Sequence, residues 1–443
     1  MNSHTTTDIL IVGAGPAGLA AAESASASGA RIDIIDDNFS SGGQIWRGGA
    51  GKHHDPRARD LWQSLSAKPN VRFHFSSRVV HASSPHQLLI EHAGASTFFE
   101  TKKLILTTGA RELLLPFPGW TLPGVTGAGG LQALSKNGYP VKGKRIVVPG
   151  SGPLLLAVAT SLIERGAIVT HILEQAKLPQ LARFGLSLLA TPSKLRQGLA
   201  LQRQLRGVHY LSDSFVTAAL GEGKLSGVRA QIKGHEQVLD CDYLACGYGL
   251  LPNSELASAV GCSLNMEDDY AKVRVDQWQQ TSIEQVYSAG ESTGIGGVDL
   301  ALAEGAIAGW AATGKQDQAE KFFAERRHWQ AFSHRLKKTF SLRPELRKLC
   351  APDTLVCRCE DVSYAQLQTH DSWRSAKLHT RCGMGACQGR ICGATSRFVF
   401  SWEKDAARLP ISNARIGSLC GLSTGTSTDT IPFGNCQTSC RLE

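Results

Sequence analysis

"DILIVGAGPAGLAAAESASASGARIDIID", from Asp8 to Asp36, decides how the rest of the chain is read. An apolar run, Ile9 to Val12, has the character of a buried strand. Gly13, Gly15 and Gly18 follow in the spacing G-x-G-x-x-G, with Pro16 and Ala17 completing the turn. An alanine-rich stretch of good helix formers comes next, then a β-branched run, Ile32 to Ile35, that ends in Asp36. Gly13 permits the tight turn. Gly15 lets the backbone approach a pyrophosphate at the positive end of the helix, and Gly18 lets helix and strand pack closely. Asp36 is placed to hold a ribose. Strand, glycine turn, helix, strand and acid in this order predict a dinucleotide-binding unit.

The chain has 443 residues, enough for two or three domains. Hydrophobic residues make up 42% of it, as in an ordinary globular protein. No apolar run approaches the roughly 20 residues of a membrane span, and the N-terminal stretch lacks the basic and cleavage regions of a signal peptide. A cytoplasmic protein is expected, at most peripheral to the inner membrane through a partner. Net charge is +9, and residues 315–348 hold ten Lys/Arg against four Asp/Glu. A basic helical connector over 316–349 is expected, with docking of an acidic partner as the sharper alternative. No nucleic-acid motif accompanies the charge, so no nucleic-acid partner is expected.

"KRIVVPGSGPLLLAVATSLIERGAIVTHILE", Lys144 to Glu174, repeats the opening pattern, and "ACGYGLLPN" (residues 245–253) repeats the strand and glycine of "LILTTGA" (residues 104–110). The duplication predicts a second Rossmann-type unit inserted in the first. Gly150, Gly152 and Glu174 are its candidate nucleotide contacts, but Leu155 holds the third glycine position. A second adenine nucleotide, NAD(P) or ATP, and an altered or empty site both stay open. No cysteine precedes Cys241, so a redox dithiol beside the first turn is excluded. Cys241 and Cys246, split by an apolar strand sequence, read as core residues. His53 and His54 read as an exposed loop, because no acid or nucleophile is spaced to act with them. The catalytic residues stay unassigned.

Nine of the twelve cysteines lie between Cys350 and Cys440. The densest stretch is "VCRCEDV", Val356 to Val362, followed by "TRCGMGACQGRICG", Thr380 to Gly393. Thiolates bind metals, and cysteines paired on turns present them in fixed geometry. Structural zinc sites favour C-x₂₋₄-C knuckles, which C-x-C fits poorly. Four thiolates are the ordinary ligand set of a [2Fe–2S] cluster. That cluster, zinc and unliganded thiols are the three readings. Arg358, Lys377, Arg381 and Arg390 lie among the cysteines, where cations would favour the reduced, more anionic cluster.

Three further stretches complete a resemblance. They are "GGQIWR" (residues 42–47), "LILTTGA" and "VYSAGESTGIGGVDLALAEGAIAG" (residues 286–309). With the first turn they resemble the FAD domain of two-dinucleotide-binding-domain flavoproteins. The resemblance implies FAD contacts at Gly43, Gln44, Arg47, Val80, Thr108, Gly109, Gly290 and Glu291, beside Gly13, Gly15, Pro16, Ala17, Gly18 and Asp36. Glu291 replaces the usual Asp. The cysteine stretch resembles the bacterioferritin-associated-ferredoxin type of [2Fe–2S] domain. Over about residues 5 to 415 the whole is similar to the A (alpha) subunits of opine oxidases, hydroxyproline dehydrogenases and hydrogen cyanide synthase. That likeness implies Cys357, Cys359, Cys387 and Cys392 as ligands, with Cys382 outside the set. It also implies that a B (beta) subunit exists as a separate FAD-dependent amine or amino-acid oxidase, with a downstream acceptor that is membrane-associated in several systems.

The expected fold class is α/β, with nested Rossmann-type domains and a small C-terminal [2Fe–2S] domain. The FAD domain would cover 1–118 and 272–315, the inserted nucleotide domain 119–271, and the cluster domain 350–415. A flexible tail would follow over 416–443. The expected function is electron relay from amine oxidation in the partner, whose polypeptide would carry the substrate specificity. The alternatives are a self-sufficient NAD(P)H-dependent reductase and a non-catalytic cluster-bearing binding protein.

Overall fold

The computed structural model describes residues 3–47, 55–267, 270–404, 407–420 and 422. The expectations for His53, His54 and most of the tail therefore fall outside the described residues. Within the tail, Ile416–Cys420 is a short helix.

The opening pattern folds as its spacing predicts. Strand Ser3–Val12 runs parallel to Ile32–Ile35 and to Ala95–Leu106. These sit in a seven-stranded sheet ordered Val71–His74, Ile32–Ile35, Ser3–Val12, Ala95–Leu106, Gln87–His92, Ser77–Ser84. The late strand Val286–Ser288 also pairs with Ala95–Leu106, so the sheet is closed by residues from both ends of the chain. Helix Pro16–Ser26 lies against helix Val298–Ala312. Gly305 and Gly309 allow that contact: a Cβ at either would collide with the carbonyl of Ala17 or Ala21. Two helices packed backbone to backbone hold the glycine turn rigidly from behind.

A second, five-stranded sheet is ordered His209–Leu211, Ile168–Glu174, Arg145–Gly150, Tyr243–Cys246, Val125–Gly127, and is parallel throughout. All its strands fall between the two halves of the first sheet, which is the nested order the repeat implied. The two crossings between units form one antiparallel pair, Ala110–Glu112 with Leu250–Pro252. The expected boundary near residue 271 moves. Leu256, Ala257, Val260, Cys262 and Val273 pack in the same core as Leu10, Val12 and Leu106 of the first sheet. The return crossing is therefore complete by Pro252, and the apolar residues after it join the first domain. Cys241 and Cys246 are buried, as expected for core residues.

The connector is helical, mainly Phe323–Thr339. Beyond it, the cysteine module docks on the crossover. Phe398 is buried in one core with Leu113, Leu115, Phe117, Val216 and Leu346. Trp120 Nε1 donates to Leu355 O at 2.6 Å, and Thr395 Oγ1 donates to Leu114 O at 2.9 Å. The chain then returns to the first sheet, where Ile411 N–H donates to Val80 O at 2.9 Å.

Phe398→Ala should remove the main apolar anchor of the module. A loss of about 3–5 kcal/mol is expected for a fully buried aromatic. Calorimetry should show the cluster domain melting apart from the rest. An unchanged single transition would contradict this account of how the module is held.

Candidate functional site

The first glycine turn is built around two close approaches. Gly13 has φ +111°, and a Cβ there would collide with Thr107 O. A Cβ on Gly18 would collide with Gly13 O. Thr107 Oγ1 donates to Val12 O at 3.0 Å and to Gly13 O at 2.8 Å, which seats "TTGA" against the turn. Gly15 differs from both. Its nearest neighbour in the Cβ direction is Gly43 Cα at 3.9 Å, so the two glycine segments face each other with little between them. Asp36 is buried, with Oδ2 accepting from Ala14 N–H at 2.6 Å and Oδ1 from Asn38 N–H at 2.8 Å. Arg47 donates from one terminal nitrogen to Gln44 Oε1 at 2.9 Å, while its Nε is buried with no partner among the described residues. A pair of facing glycines beside the Arg47 guanidinium fits the pyrophosphate of a flavin dinucleotide.

Two candidates sit differently from expectation. Val80 packs its side chain with Leu89 and Phe98, and its carbonyl is taken by Ile411. Glu291 folds onto the start of helix Val298–Ala312, accepting from Gly297 N–H at 2.9 Å and Gly296 N–H at 3.3 Å. Its extra methylene lets it reach those amides, and burial pushes its carboxyl up to about 7. Behind it Glu304, also raised to about 7 by burial, accepts from Gly290 N–H at 3.0 Å and Thr293 Oγ1 at 2.8 Å.

The second turn copies the acid but not the opening. Glu174 is fully buried, accepting from Gly152 N–H at 2.7 Å and Ala176 N–H at 2.8 Å. Leu155 is accommodated by a glycine on the opposite element: a Cβ on Gly247 would lie 2.8 Å from Leu155 Cδ2. Over Gly152 lies the ring of Phe340, 3.6 Å from the position of a Cβ.

The cysteine stretch converges. Sγ atoms of Cys357, Cys382 and Cys392 lie within 4.8 Å of one another, and all three residues are buried. Cys387 reaches Cys392 and Cys359. Cys382, expected outside the ligand set, is thus in the innermost trio. A four-thiolate cluster fits here, with one thiol more than it needs. The cations are also arranged differently from the sequence reading. Arg381 pairs with Glu360 at 2.8 Å, and Arg358 stacks over Trp120. Arg390 stays on the loop, donating to Gln388 Oε1 at 3.0 Å and to Ile411 O.

Two further cations were not read from the sequence. The Lys404 side chain packs on Gly393, and burial with Arg111 and Arg390 nearby pushes its ammonium down. Arg111 is the hub. Nε donates to Arg390 O at 3.1 Å, and the terminal nitrogens reach Asn253 Oδ1 at 2.8 Å and Glu255 Oε1 at 2.8 Å. Asn253 in turn donates from Nδ2 to Thr108 O at 2.9 Å and from its backbone N–H to Gly109 O at 2.9 Å. The segment that abuts the first glycine turn and the loop carrying Cys387 and Cys392 thus share one guanidinium.

The raised carboxyls make a testable statement about pH. A carboxyl whose folded value lies above its unfolded value stabilises the fold fully below about pH 4.5, and that contribution is lost as pH rises through 7. Glu304 and Glu291 should each cost on the order of 3 kcal/mol across that interval. Glu304→Gln keeps an acceptor for Gly290 and cannot ionise. Urea denaturation at pH 5 and pH 7.5 should therefore show a smaller pH difference for the variant than for the parent. An equal difference in both would refute the buried-acid assignment.

Among known proteins, the family model for pyridine nucleotide-disulphide oxidoreductases matches residues 7–308. The A subunit of opine oxidase from Agrobacterium tumefaciens (strain Ach5) is 30% identical over 93% of this chain and 89% of its own length. The HcnB subunit of hydrogen cyanide synthase from Pseudomonas protegens is 31% identical, covering 86% of this chain and 89% of its own. Among solved structures, L-proline dehydrogenase from P. horikoshii matches 95% of this chain and 80% of that one, with a TM-score of 0.67 and 19% identity. T. acidophilum thioredoxin reductase matches 70% of this chain and 99% of that one, with a TM-score of 0.53 and 22% identity. Among the described residues no helix is long and apolar enough to cross a membrane. With the glycine cradle, the nested sheets and relatives aligned along most of its length, this chain belongs to the pyridine nucleotide-disulphide oxidoreductase family and is an FAD-dependent oxidoreductase.

Proposed function

We propose that the chain is the flavin and iron–sulfur subunit of a heteromeric FAD-dependent amino-acid dehydrogenase of the hydroxyproline or opine type. It would relay electrons from a partner of the FAD-containing amine oxidase class to a downstream acceptor. One observation carries the reading: Arg111 ties the segment beside the dinucleotide cradle to the cysteine loop at 3.1 Å. Relatives named as subunits of opine oxidase and hydrogen cyanide synthase support a partner polypeptide. When bound, FAD exchanges electrons in pairs or singly and a [2Fe–2S] cluster singly, so together they convert one kind of transfer into the other.

The protein's own groups do the rest. Asp36, Gly13 and Gly15 would seat the dinucleotide, and Arg47 would meet its phosphates. Glu291 and Glu304 hold the loop at Gly290 in shape. Cys357, Cys359, Cys387 and Cys392 would ligate the cluster, with Cys382 as a reserve thiol inside the same nest. The alternative, a self-sufficient NAD(P)H reductase, needs an accessible second turn, and the ring over Gly152 weighs against it.

Anaerobic mixing with NADH or NADPH should leave the flavin of the isolated chain oxidised, while partner plus amino acid should bleach it. Rapid bleaching by either nicotinamide alone would sink the proposal. For the ligand set, Cys382→Ser should retain two irons per chain, and Cys359→Ser/Cys382→Ser should retain none. Loss of iron from Cys382→Ser alone would move Cys382 into the native set.

A further inference from the structure

The second glycine turn has an occupant, and it is the chain itself. Phe340–Arg343, the first residues after the connector helix, cross it from end to end. Ser151, inside the turn, donates from Oγ to Phe340 O at 2.9 Å. The Phe340 ring covers Gly152 and meets Phe184 edge-on, with centroids 5.1 Å apart. Gln175, adjacent to the buried acid, donates from Nε2 to Ser341 O at 3.1 Å and accepts at Oε1 from Arg343 N–H at 3.1 Å. Arg343 is then locked by Asp213 at 2.7 Å and stacks over Phe215.

In a Rossmann unit the pyrophosphate lies on the second glycine and the ribose on the acid that ends the following strand. Here those positions are Gly152 and Glu174. Both ends of that line are taken: Gly152 by an aromatic ring, and the neighbour of Glu174 by two connector backbone groups. The contact is polar as well as apolar, and it uses side chains of the turn itself. The connector therefore covers the groups an adenine nucleotide would need.

We infer that the second dinucleotide-type domain serves as a socket for the chain's own connector, with Phe340–Arg343 held where an adenine nucleotide would otherwise bind. Its role is positional. Three residues beyond Arg343, Leu346 enters the core that also buries Phe398, and Cys350 Sγ reaches Pro116 O at 3.5 Å. Seating the connector thus sets where the cysteine module begins. A nucleotide in this socket and a seated cluster domain exclude one another. The inference holds whatever the identity of the electron donor, so its failure would leave the proposed function standing.

The test uses the holoprotein and the variant Phe340→Ala/Arg343→Ala, which leaves Ser151, Gly152, Glu174 and Gln175 intact. Equilibrium dialysis with labelled ADP should show no binding to the parent beyond its flavin. The variant should bind one ADP per chain at concentrations where the parent binds none, and trypsin should cut it faster after Lys338. Phe340→Leu, a milder change, should fall between them, and unchanged flavin content would show that the cradle stays folded. ADP or NADH binding to the parent that is lost in Glu174→Gln would overturn the inference. So would a variant that still excludes ADP, or one whose connector resists trypsin as the parent's does.

Discussion

The Arg111 guanidinium is the contact on which the rest of the arrangement depends. It sits where both inter-domain crossings and the cysteine loop meet, bonded to Asn253, Glu255 and the carbonyl of Arg390. A planar group with five donors can hold three segments at fixed angles, which a lysine cannot. Its surroundings are half-buried, so each bond is strengthened by the reduced screening. Because Asn253 also brackets Thr108 and Gly109, any shift of the cysteine loop must be transmitted to the wall of the dinucleotide cradle.

Duplication supplied two similar turns, and small changes sent them different ways. In both, an acid at the end of the second strand accepts from the glycine loop and from the amide two residues on. The first keeps Gly18, so helix and strand can touch, and sets Gly15 against the backbone of Gly43. The second replaces that glycine by Leu155 and regains the lost room through Gly247. The fold therefore survived the substitution, while the mouth of the turn came to receive an aromatic ring. Retention of a Rossmann architecture is thus weak evidence for a nucleotide at that place.

The sequence made legible whatever depends on local spacing. The first turn, Asp36, the nested repeat and the cysteine stretch are each short patterns with a geometric reason, and each lies where its pattern put it. What was missed depends on contacts between distant segments. Arg111 carries no motif of its own; its role comes from Arg390, far along the chain. The boundary after Pro252 is set by which core Leu256 and Val260 enter, and an apolar periodicity does not name its core. The likeness places Cys382 outside the ligand set, yet the fold of its loop brings it against Cys357 and Cys392. Phe340 was one aromatic residue in a basic connector, with nothing nearby in sequence to show the turn it covers.

Electrostatics give a reason for placing the cysteine module at this crossover. Arg111, Arg390 and Lys404 are gathered within interaction distance, with Glu255 the carboxylate among the described residues that acts on Lys404. Like charges held together in a poorly screened site repel, and burial adds a desolvation cost, visible in the lowered Lys404 ammonium. Thiolates at Cys357, Cys387 and Cys392 would supply the missing negative charge. The dependence is mutual: an anionic cluster would be costly to bury without these cations, and the cations are costly without it. The same electrostatic balance would hold the cluster in the protein, favour its reduced form, and tighten the Arg111 clamp that seats it against the flavin domain. Electron acceptance and domain docking would then be coupled through one set of charges.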